Sequence, residues 1–175
     1  DEAASDGQGN YFLIGDRQNN NQPELVIMAF TDTVPNWTRA FNFGRAIFPT
    51  SAICDSSGNL IISASIEDTS TFLFTFNTVL MELDANTGAL SWAQEIDQAL
   101  PYTNSISDLK LTASKNILGS GSFGTDDGTS AWALEADRSG NLIWWKGYHQ
   151  FDKQSFTSLL PVEDGRFLMA GGTDM

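Results

Sequence analysis

The stretch from Leu118 to Trp145 constrains the fold most, because its parts recur elsewhere in the chain. It holds a short apolar run after a turn, then a strand-like run that ends in a second turn, and then a tryptophan. Three copies carry these features in the same order, which predicts repeated copies of one β-unit. The tryptophans of the three copies are Trp37, Trp92 and Trp144, and the glycines four residues before the last two are Gly88 and Gly140.

The copies follow one another at intervals of about 50 residues with about four short strands each, which is typical of one blade of a β-propeller. We therefore predict an all-β fold of four-stranded antiparallel propeller blades, with about three and a half repeats. A closed propeller typically has about four to eight blades. The predicted units are residues 9–57, 58–114 and 115–163, with a partial unit at 164–175, in one segment that covers residues 1–175. Such a segment either belongs to a longer protein or associates with other copies.

Local patterns predict the individual strands and loops. Turn-forming residues predict a loop at Asp16–Pro23, and Ala46–Cys54 is predicted to be the outer strand of the first unit. Alternating aromatic residues predict a strand or an extended hairpin arm at Phe72–Phe76. Leu90–Leu100 is predicted to be a strand followed by a loop, although its apolar spacing also permits a short helix. The glycines predicted to mark a strand end and a loose loop are Gly119, Gly121, Gly124 and Gly128.

The charge balance argues against two classes of partner. Nine basic and 22 acidic residues give a net charge of −13. A surface this acidic repels phosphate backbones and anionic lipid headgroups, so we predict neither nucleic acid binding nor membrane-surface binding. No apolar run reaches the roughly 18 residues that a membrane span requires. The charge is interpreted as a contribution to solubility, and cation binding is the alternative.

The inventory of reactive side chains predicts no catalytic site. Cys54 is the single cysteine, so it can form neither an intramolecular disulfide nor a cysteine-based metal site, and we predict a buried structural thiol. His149 is the single histidine and has no serine or cysteine nucleophile motif around it. The 22 acidic residues offer many carboxylate pairs for glycoside hydrolysis, but nothing in the sequence selects one pair.

Two acidic segments suggest calcium. Asp84-Ala-Asn86-Thr-Gly88 has alternating oxygen donors, and Glu95 stands at the twelfth position, as in a calcium-binding loop. Because Gly88 is at the fifth position rather than the sixth, a simple β-turn is the favoured interpretation. Asp126 and Asp127 resemble an incomplete Asp-box turn and are candidates for cation binding. We predict no cofactor and no metal, with Ca²⁺ at Asp84 and Asn86 as the alternative.

The five tryptophans divide into two groups. Trp37, Trp92 and Trp144 occupy matching places in the copies, which predicts packing between blades. Trp132 and Trp145 do not, so they are predicted as candidate binding residues together with Asp126 and Asp127. Trp145 neighbours Trp144 on a strand, and therefore one of the two side chains faces the opposite side.

One motif resembles SBBP-type and related bacterial β-propeller repeats. It begins at Asp137 with the sequence D-R-S-G-N-L-I-W and ends in the sequence D-G-R-F-L-M-A-G-G-T at 164–173. The Val79–Trp92 segment also resembles a quinoprotein-like propeller repeat. The first copy departs from the pattern, because Val34-Pro35-Asn36 replaces the glycine turn. The resemblance implies an exported or cell-surface bacterial protein that acts as a structural or binding module, although no signal peptide is visible in this chain.

Three functional hypotheses follow. The first is a non-catalytic interaction or structural module with a protein or glycan partner. The second is a propeller that binds or hydrolyses a carbohydrate, which predicts exposed aromatic side chains and clustered carboxylates at one end of the ring. The third is a subunit of a larger extracellular assembly that closes through its open ends, either with further copies or with the remaining blades of a longer chain.

Overall fold

The computed structural model describes residues 1–19, 22–69, 75–96, 103–125, 128–148, 153–162 and 166–174. These residues form β-strands joined by turns, without helices, and the all-β prediction is confirmed. The strands are β1 (Glu2–Ser5), β2 (Asn10–Asn19), β3 (Gln22–Thr31), β4 (Val34–Asn42), β5 (Ile47–Cys54), β6 (Asn59–Asp68), β7 (Thr75–Asp84), β8 (Leu90–Ile96), β9 (Asn104–Leu111), β10 (Ile117–Thr125), β11 (Gly128–Ala136), β12 (Leu142–Tyr148), β13 (Lys153–Pro161) and β14 (Phe167–Asp174).

The strands pair with their neighbours in chain order. We call β1–β4 the first sheet, β5–β8 the second sheet, β9–β12 the third sheet and β13–β14 the last hairpin. Pairing within each is antiparallel, and the prediction of four-stranded antiparallel sheets is confirmed for the first and second sheets. The third sheet and the last hairpin together form one six-stranded sheet of mixed pairing, so for them the prediction is confirmed only in part. A single parallel bridge between Thr129 and Lys153 connects the last hairpin to the third sheet. Within the described residues the sheets do not close into a ring.

The second sheet is buried on both faces, which explains the continuous apolar run of β6. Leu60 and Ile62 join a hydrophobic cluster with residues of the first sheet. The residue between them, Ile61, faces the opposite way and joins a second cluster with residues of the third sheet. Successive side chains of a strand point to opposite faces, so a strand between two other sheets carries apolar residues at successive positions, with the small polar residues Ser63 and Ser65 also buried in β6.

The first strands of the three sheets and of the last hairpin lie side by side. β1 contacts β5, β5 contacts β9, and β9 contacts β13. One of these contacts is a hydrogen bond, in which the backbone amide of Leu159 in β13 donates to the Asp108 carboxylate in β9 over 2.7 Å. The sheets therefore spread from a common side, at which their first strands meet.

Three local predictions are wrong. The described residues of Asp16–Pro23 do not form a loop, because β2 extends to Asn19, β3 begins at Gln22, and these two residues pair. An ion pair between Arg17 and Glu24 joins opposite residues of the same two strands. Ala46–Cys54 does not complete the first unit, because its strand β5 pairs with β6 in the second sheet. The glycines at 119 and 121 do not end a strand, because both lie inside β10.

The strand interpretation of the Leu90–Leu100 region holds for its described part. Leu90–Ile96 forms β8 and pairs with β7, so the helical alternative is wrong there. Residues 97–100 lie outside the described residues, and so do Phe72 and Phe74 of the predicted hairpin arm. Thr75 and Phe76 belong to β7.

Candidate functional site

The contact between the first and second sheets is built around Trp37. Its indole lies against Gly88 in the turn between β7 and β8, where an added Cβ atom would stand 2.8 Å from the ring. Gly88 has a φ of +69°, a conformation that glycine adopts without steric cost. The indole nitrogen also donates a hydrogen bond to the Ala85 carbonyl in the same turn, over 3.0 Å. The tryptophan of the first sheet thus packs against a turn of the second sheet.

The contact between the second and third sheets has the same construction. Trp92 in β8 lies against Gly140 in the turn between β11 and β12, where an added Cβ atom would stand 2.6 Å from the ring. Gly140 has a φ of +80°. The structure therefore brings Trp37 together with Gly88, and Trp92 together with Gly140, although each pair is far apart in the sequence.

Trp144 occupies the corresponding strand of the third sheet. It lies in β12 opposite Glu135, whose carboxylate accepts a hydrogen bond from the indole nitrogen over 2.7 Å. Its ring stacks on Phe167 of the last hairpin with 5.6 Å between centroids and 11° between planes. In each of the three sheets, a β-bulge lies next to the residue that pairs with the tryptophan. The three tryptophans therefore occupy positions with the same local strand geometry.

Aspartates organise the turns. The Asp55 carboxylate accepts backbone hydrogen bonds from Ser57 over 2.8 Å and from Asn59 over 2.9 Å, and its second oxygen accepts the Asn59 side-chain amide over 3.0 Å. Asp6 with Asn10 and Asp137 with Asn141 form the same arrangement. Hydrogen bonds from the Asn141 side chain and backbone hold the pKa of Asp137 below its usual value.

The calcium candidates form a turn rather than a convergent set of ligands. One carboxylate oxygen of Asp84 accepts the backbone amides of Asn86 and Thr87, each over 2.9 Å. The Thr87 backbone hydrogen bond is the largest cause of the lowered pKa of Asp84. Glu95 lies near the other end of β8 and pairs with Arg45 over 2.7 Å. Across the part of the chain that the structure describes, no three His, Cys, Asp or Glu side chains form a metal-sized cluster.

An ionic cluster that the sequence analysis missed joins the second and third sheets. The guanidinium of Arg138, in the turn after β11, contacts Asp55 over 2.9 Å and also contacts Glu82. Burial raises the pKa of Glu82 despite the nearby cation. Burial would also raise the pKa of Asp55, but the hydrogen bonds from Asn59 and Ser57 together with Arg138 lower it. No local pattern signals this cluster, because its members come from three separate turns and strands.

The two remaining tryptophans differ in exposure. Trp132 is only 1% exposed, and its indole nitrogen donates to the Ser105 carbonyl over 2.9 Å. This burial corrects the assignment of Trp132 to a binding surface, because the ring packs in the cluster between the second and third sheets. Trp145 is 36% exposed and lies opposite Leu134. Asp126, Asp127 and His149 lie outside the described residues.

A cavity of about 310 Å³ lies between the third sheet and the last hairpin. Ala131 and Tyr148 line it from the third sheet, and Phe156 and Gly171 line it from the hairpin. The rings of Tyr148 and Phe156 meet edge to face with 5.2 Å between centroids. The lining thus combines two aromatic rings with the polar residues Gln154, Ser155 and Thr173.

No family model matches the sequence, and the search of curated proteins finds no match. Among the described residues, no helix has the length and apolarity needed to cross a bilayer.

Proposed function

We propose that the chain is a non-catalytic structural or protein-interaction module, built as a segment of a β-propeller, in an exported or cell-surface protein. The observation that carries the proposal is the pair of sheet-to-sheet contacts in which a tryptophan covers a turn glycine, Trp37 on Gly88 and Trp92 on Gly140. The use of the same contact twice in succession supports a regular stacking of the sheets. The side-by-side first strands support the same radial arrangement.

The carboxylates support a structural role. Asp6, Asp55, Asp84 and Asp137 accept the amides of their own turns. Glu82 and Glu95 pair with arginines. A hydrolytic site needs carboxylates that face a substrate cleft, and these six are engaged in turns and ion pairs instead.

The uncovered sheet faces support an interaction role. Leu13 of the first sheet and Leu168 of the last hairpin are 51% and 61% exposed. Tyr11 lies on the same side of β2 as Leu13, and Leu160 of the hairpin is also exposed. Apolar faces of this kind mark surfaces at which proteins associate.

Light scattering across a concentration series tests the proposal. We expect a mass that rises above that of the monomer with concentration, and a return toward the monomer in the variants Leu13→Asp and Leu168→Asp. The substitution Thr38→Asp on exposed strand β4 is the control for added charge. A monomeric mass at every concentration, or turnover of a glycan substrate by the purified chain, would overturn the proposal.

Glycan binding is the second candidate, and the exposure of Trp145 favours it, because flat aromatic faces stack on sugar rings. Oligosaccharides of glucose, mannose and N-acetylglucosamine are suitable probes, with binding followed by calorimetry. We expect the variant Trp145→Ala to abolish any binding. Equal binding by the variant and the original chain would remove this candidate.

A further inference from the structure

Two buried donor groups lie at the contact between the second and third sheets. They are the indole nitrogen of Trp92 and the Nη1 atom of Arg138, and neither has a hydrogen-bond partner among the described residues. A buried donor without an acceptor loses its hydrogen bonds to water and gains none in return. An acceptor within reach of either group therefore has a reason to move toward it.

The unpaired indole goes together with a difference between two turns. In the preceding contact, the turn from Asp84 to Gly88 presents its Ala85 carbonyl to the indole nitrogen of Trp37. The turn from Asp137 to Gly140 is one residue shorter. Trp92 packs on the glycine of this shorter turn, but no carbonyl of the turn accepts its indole nitrogen.

The third sheet shows which acceptor fits such a tryptophan. Trp144 pairs with Glu135 across β11 and β12, and its indole nitrogen donates to that carboxylate over 2.7 Å. Trp92 pairs with Glu82 across β7 and β8, and in both sheets a β-bulge lies next to the glutamate. Residues directly opposite in an antiparallel pair are close enough for their side chains to meet. Glu82 is thus within reach of the Trp92 indole, but its carboxylate contacts Arg138 instead.

The ionic cluster around Arg138 holds two negative charges and one positive charge. Arg138 faces Asp55 at the turn between β5 and β6 and Glu82 in β7, and these two side chains are only 5% and 12% exposed. Arg138 and Asp55 are the charged groups that act on Glu82. Because two carboxylates with little exposure share one cation, the cluster favours the uptake of one proton.

The hydrogen bonds of the cluster direct this proton to Glu82. The Asp55 carboxylate accepts the backbone amides of Ser57 and Asn59 and the side-chain amide of Asn59, which favour its charged form. Glu82 accepts a hydrogen bond from Arg138. The pKa of Glu82 is raised, mainly by burial, and the pKa of Asp55 is lowered, which agrees with this assignment.

We propose that Glu82 is a pH-sensitive switch in the contact between the second and third sheets. As a carboxylate it binds Arg138. When it takes a proton from the solvent, it turns to Trp92, and its carbonyl oxygen accepts the indole N–H. Asp55 keeps Arg138 in both states, so mild acid leaves one ion pair where there were two. The switch lies within one chain and does not depend on the association proposed above.

The switch operates without unfolding. A group whose pKa is raised in the folded state binds its proton more tightly there, so protonation of Glu82 stabilises the folded chain relative to the unfolded chain. The ordinary pKa of this group is 4.5, and the pKa of Asp55 lies below 3.8. The switch therefore acts above pH 4.5, before the turn aspartates lose their charge.

The indole resonances of the complete chain, labelled with ¹⁵N-tryptophan, report the switch by NMR. The variant Trp92→Phe assigns the resonance of Trp92. We expect the Trp92 indole proton to move downfield as the pH falls from neutral, with a midpoint above pH 4.5, to a limit that we call the acid position. Trp37 donates to a backbone carbonyl, so its resonance is the internal control and should not follow this titration.

Glu82→Gln fixes the neutral form of the side chain. We expect its Trp92 indole to stay at the acid position at every pH. At pH 7 it should exchange with solvent about fivefold more slowly than in the original chain, as for one added hydrogen bond of ordinary strength. Glu135→Gln is the matched control, because it changes the acceptor of Trp144 and leaves Glu82 intact. Arg138→Met releases Glu82 and should bring the Trp92 indole to the acid position at neutral pH.

Three results would overturn the inference. They are a Trp92 resonance that stays constant with pH, an equal titration of Trp92 in Glu82→Gln, and loss of the titration in Glu135→Gln. An unchanged Trp92 resonance in folded Arg138→Met would also overturn it, since the released carboxylate should reach the indole. If that variant does not fold, the original chain and Glu82→Gln decide the question. A purely structural ionic cluster would leave the indole resonance unaffected by the charge of Glu82.

Discussion

The indole ring of Trp37 lies against Gly88 so closely that a Cβ atom on this glycine would stand 2.8 Å from the ring. The first sheet supplies the tryptophan and the second sheet supplies the glycine. Trp92 and Gly140 repeat the relationship between the second and third sheets. The stacking of the sheets therefore depends on two turns, each of which has a glycine, without a side chain, at the position that contacts the tryptophan.

Substitution of Gly88 by alanine tests this dependence, and Gly44 provides the matched control. Both glycines have a φ of +69°, but an added Cβ atom at Gly44 meets nothing within 4 Å. We expect Gly44→Ala to lower the free energy of unfolding by about 1 kcal/mol through backbone strain alone. We expect Gly88→Ala to cost roughly 1–3 kcal/mol more, because the Trp37 indole and the Arg39 side chain must both shift. Urea denaturation measures both values, and equal costs would contradict the packing role of Trp37.

Removal of the Arg138 guanidinium should destabilise the contact between the second and third sheets. Arg138→Met leaves Asp55 and Glu82, two carboxylates with little exposure, without their shared cation. We expect a loss of roughly 1.5–3 kcal/mol in the free energy of unfolding, typical for hydrogen bonds to charged groups. Glu82→Gln should cost much less, because burial raises the pKa of Glu82 and its charged form is already disfavoured. Equal losses in the two variants would contradict this division of roles.

The turn aspartates predict a loss of stability in acid. The pKa values of Asp6, Asp55 and Asp137 lie below the ordinary value of 3.8. A lowered pKa contributes stability that is fully present above the unfolded value and is lost as the pH falls through the folded value. We therefore expect the urea midpoint to decline below about pH 4 because of these groups. Glu82 acts in the opposite direction, since its raised pKa favours the folded state as it becomes protonated.

Comparison of Asp55→Asn with the original chain isolates one contribution to this acid response. The variant should be less stable at neutral pH, and the difference should shrink as the pH falls below the ordinary aspartate value. A difference that stays constant from pH 7 to pH 2.5 would show that the ionised carboxylate of Asp55 contributes nothing specific.

Cys54 should react slowly with thiol reagents. Burial is the main reason that the pKa of the Cys54 thiol rises to about 11, with the charges of Asp6 and Asp55 as further causes. Because the thiolate is the reactive species, we expect alkylation by iodoacetamide to rise with pH toward this value. In urea the ordinary value of 9.0 returns, a difference of about two pH units, so at pH 8 the rate should increase about 100-fold. Cys54 is half-buried rather than fully buried as the sequence predicted, and equal rates in the folded and unfolded chain would contradict this partial shielding of the thiol.

The candidate sites show where sequence reasoning succeeded and where it stopped. The turn at Asp84–Gly88 was recognisable, because a turn is decided by residues that are adjacent in the chain. The burial of Trp132 was not, because it depends on Ser105 and Gly121 in two other strands. The contacts of Arg138 with Asp55 and Glu82 likewise join residues from different sheets.

The sequence by itself determined that this chain forms short β-strands, because apolar runs such as Leu60-Ile61-Ile62 alternate with turns at regular intervals. It also marked Trp37, Trp92 and Trp144 as matching positions. Only the tertiary structure decided that Ile47–Cys54 begins the second sheet, that Trp132 is buried, and that Arg138 contacts Asp55 and Glu82. The physical reason is that strand pairing and side-chain burial depend on partners distant in the chain, whereas turns and strand propensity depend on neighbours.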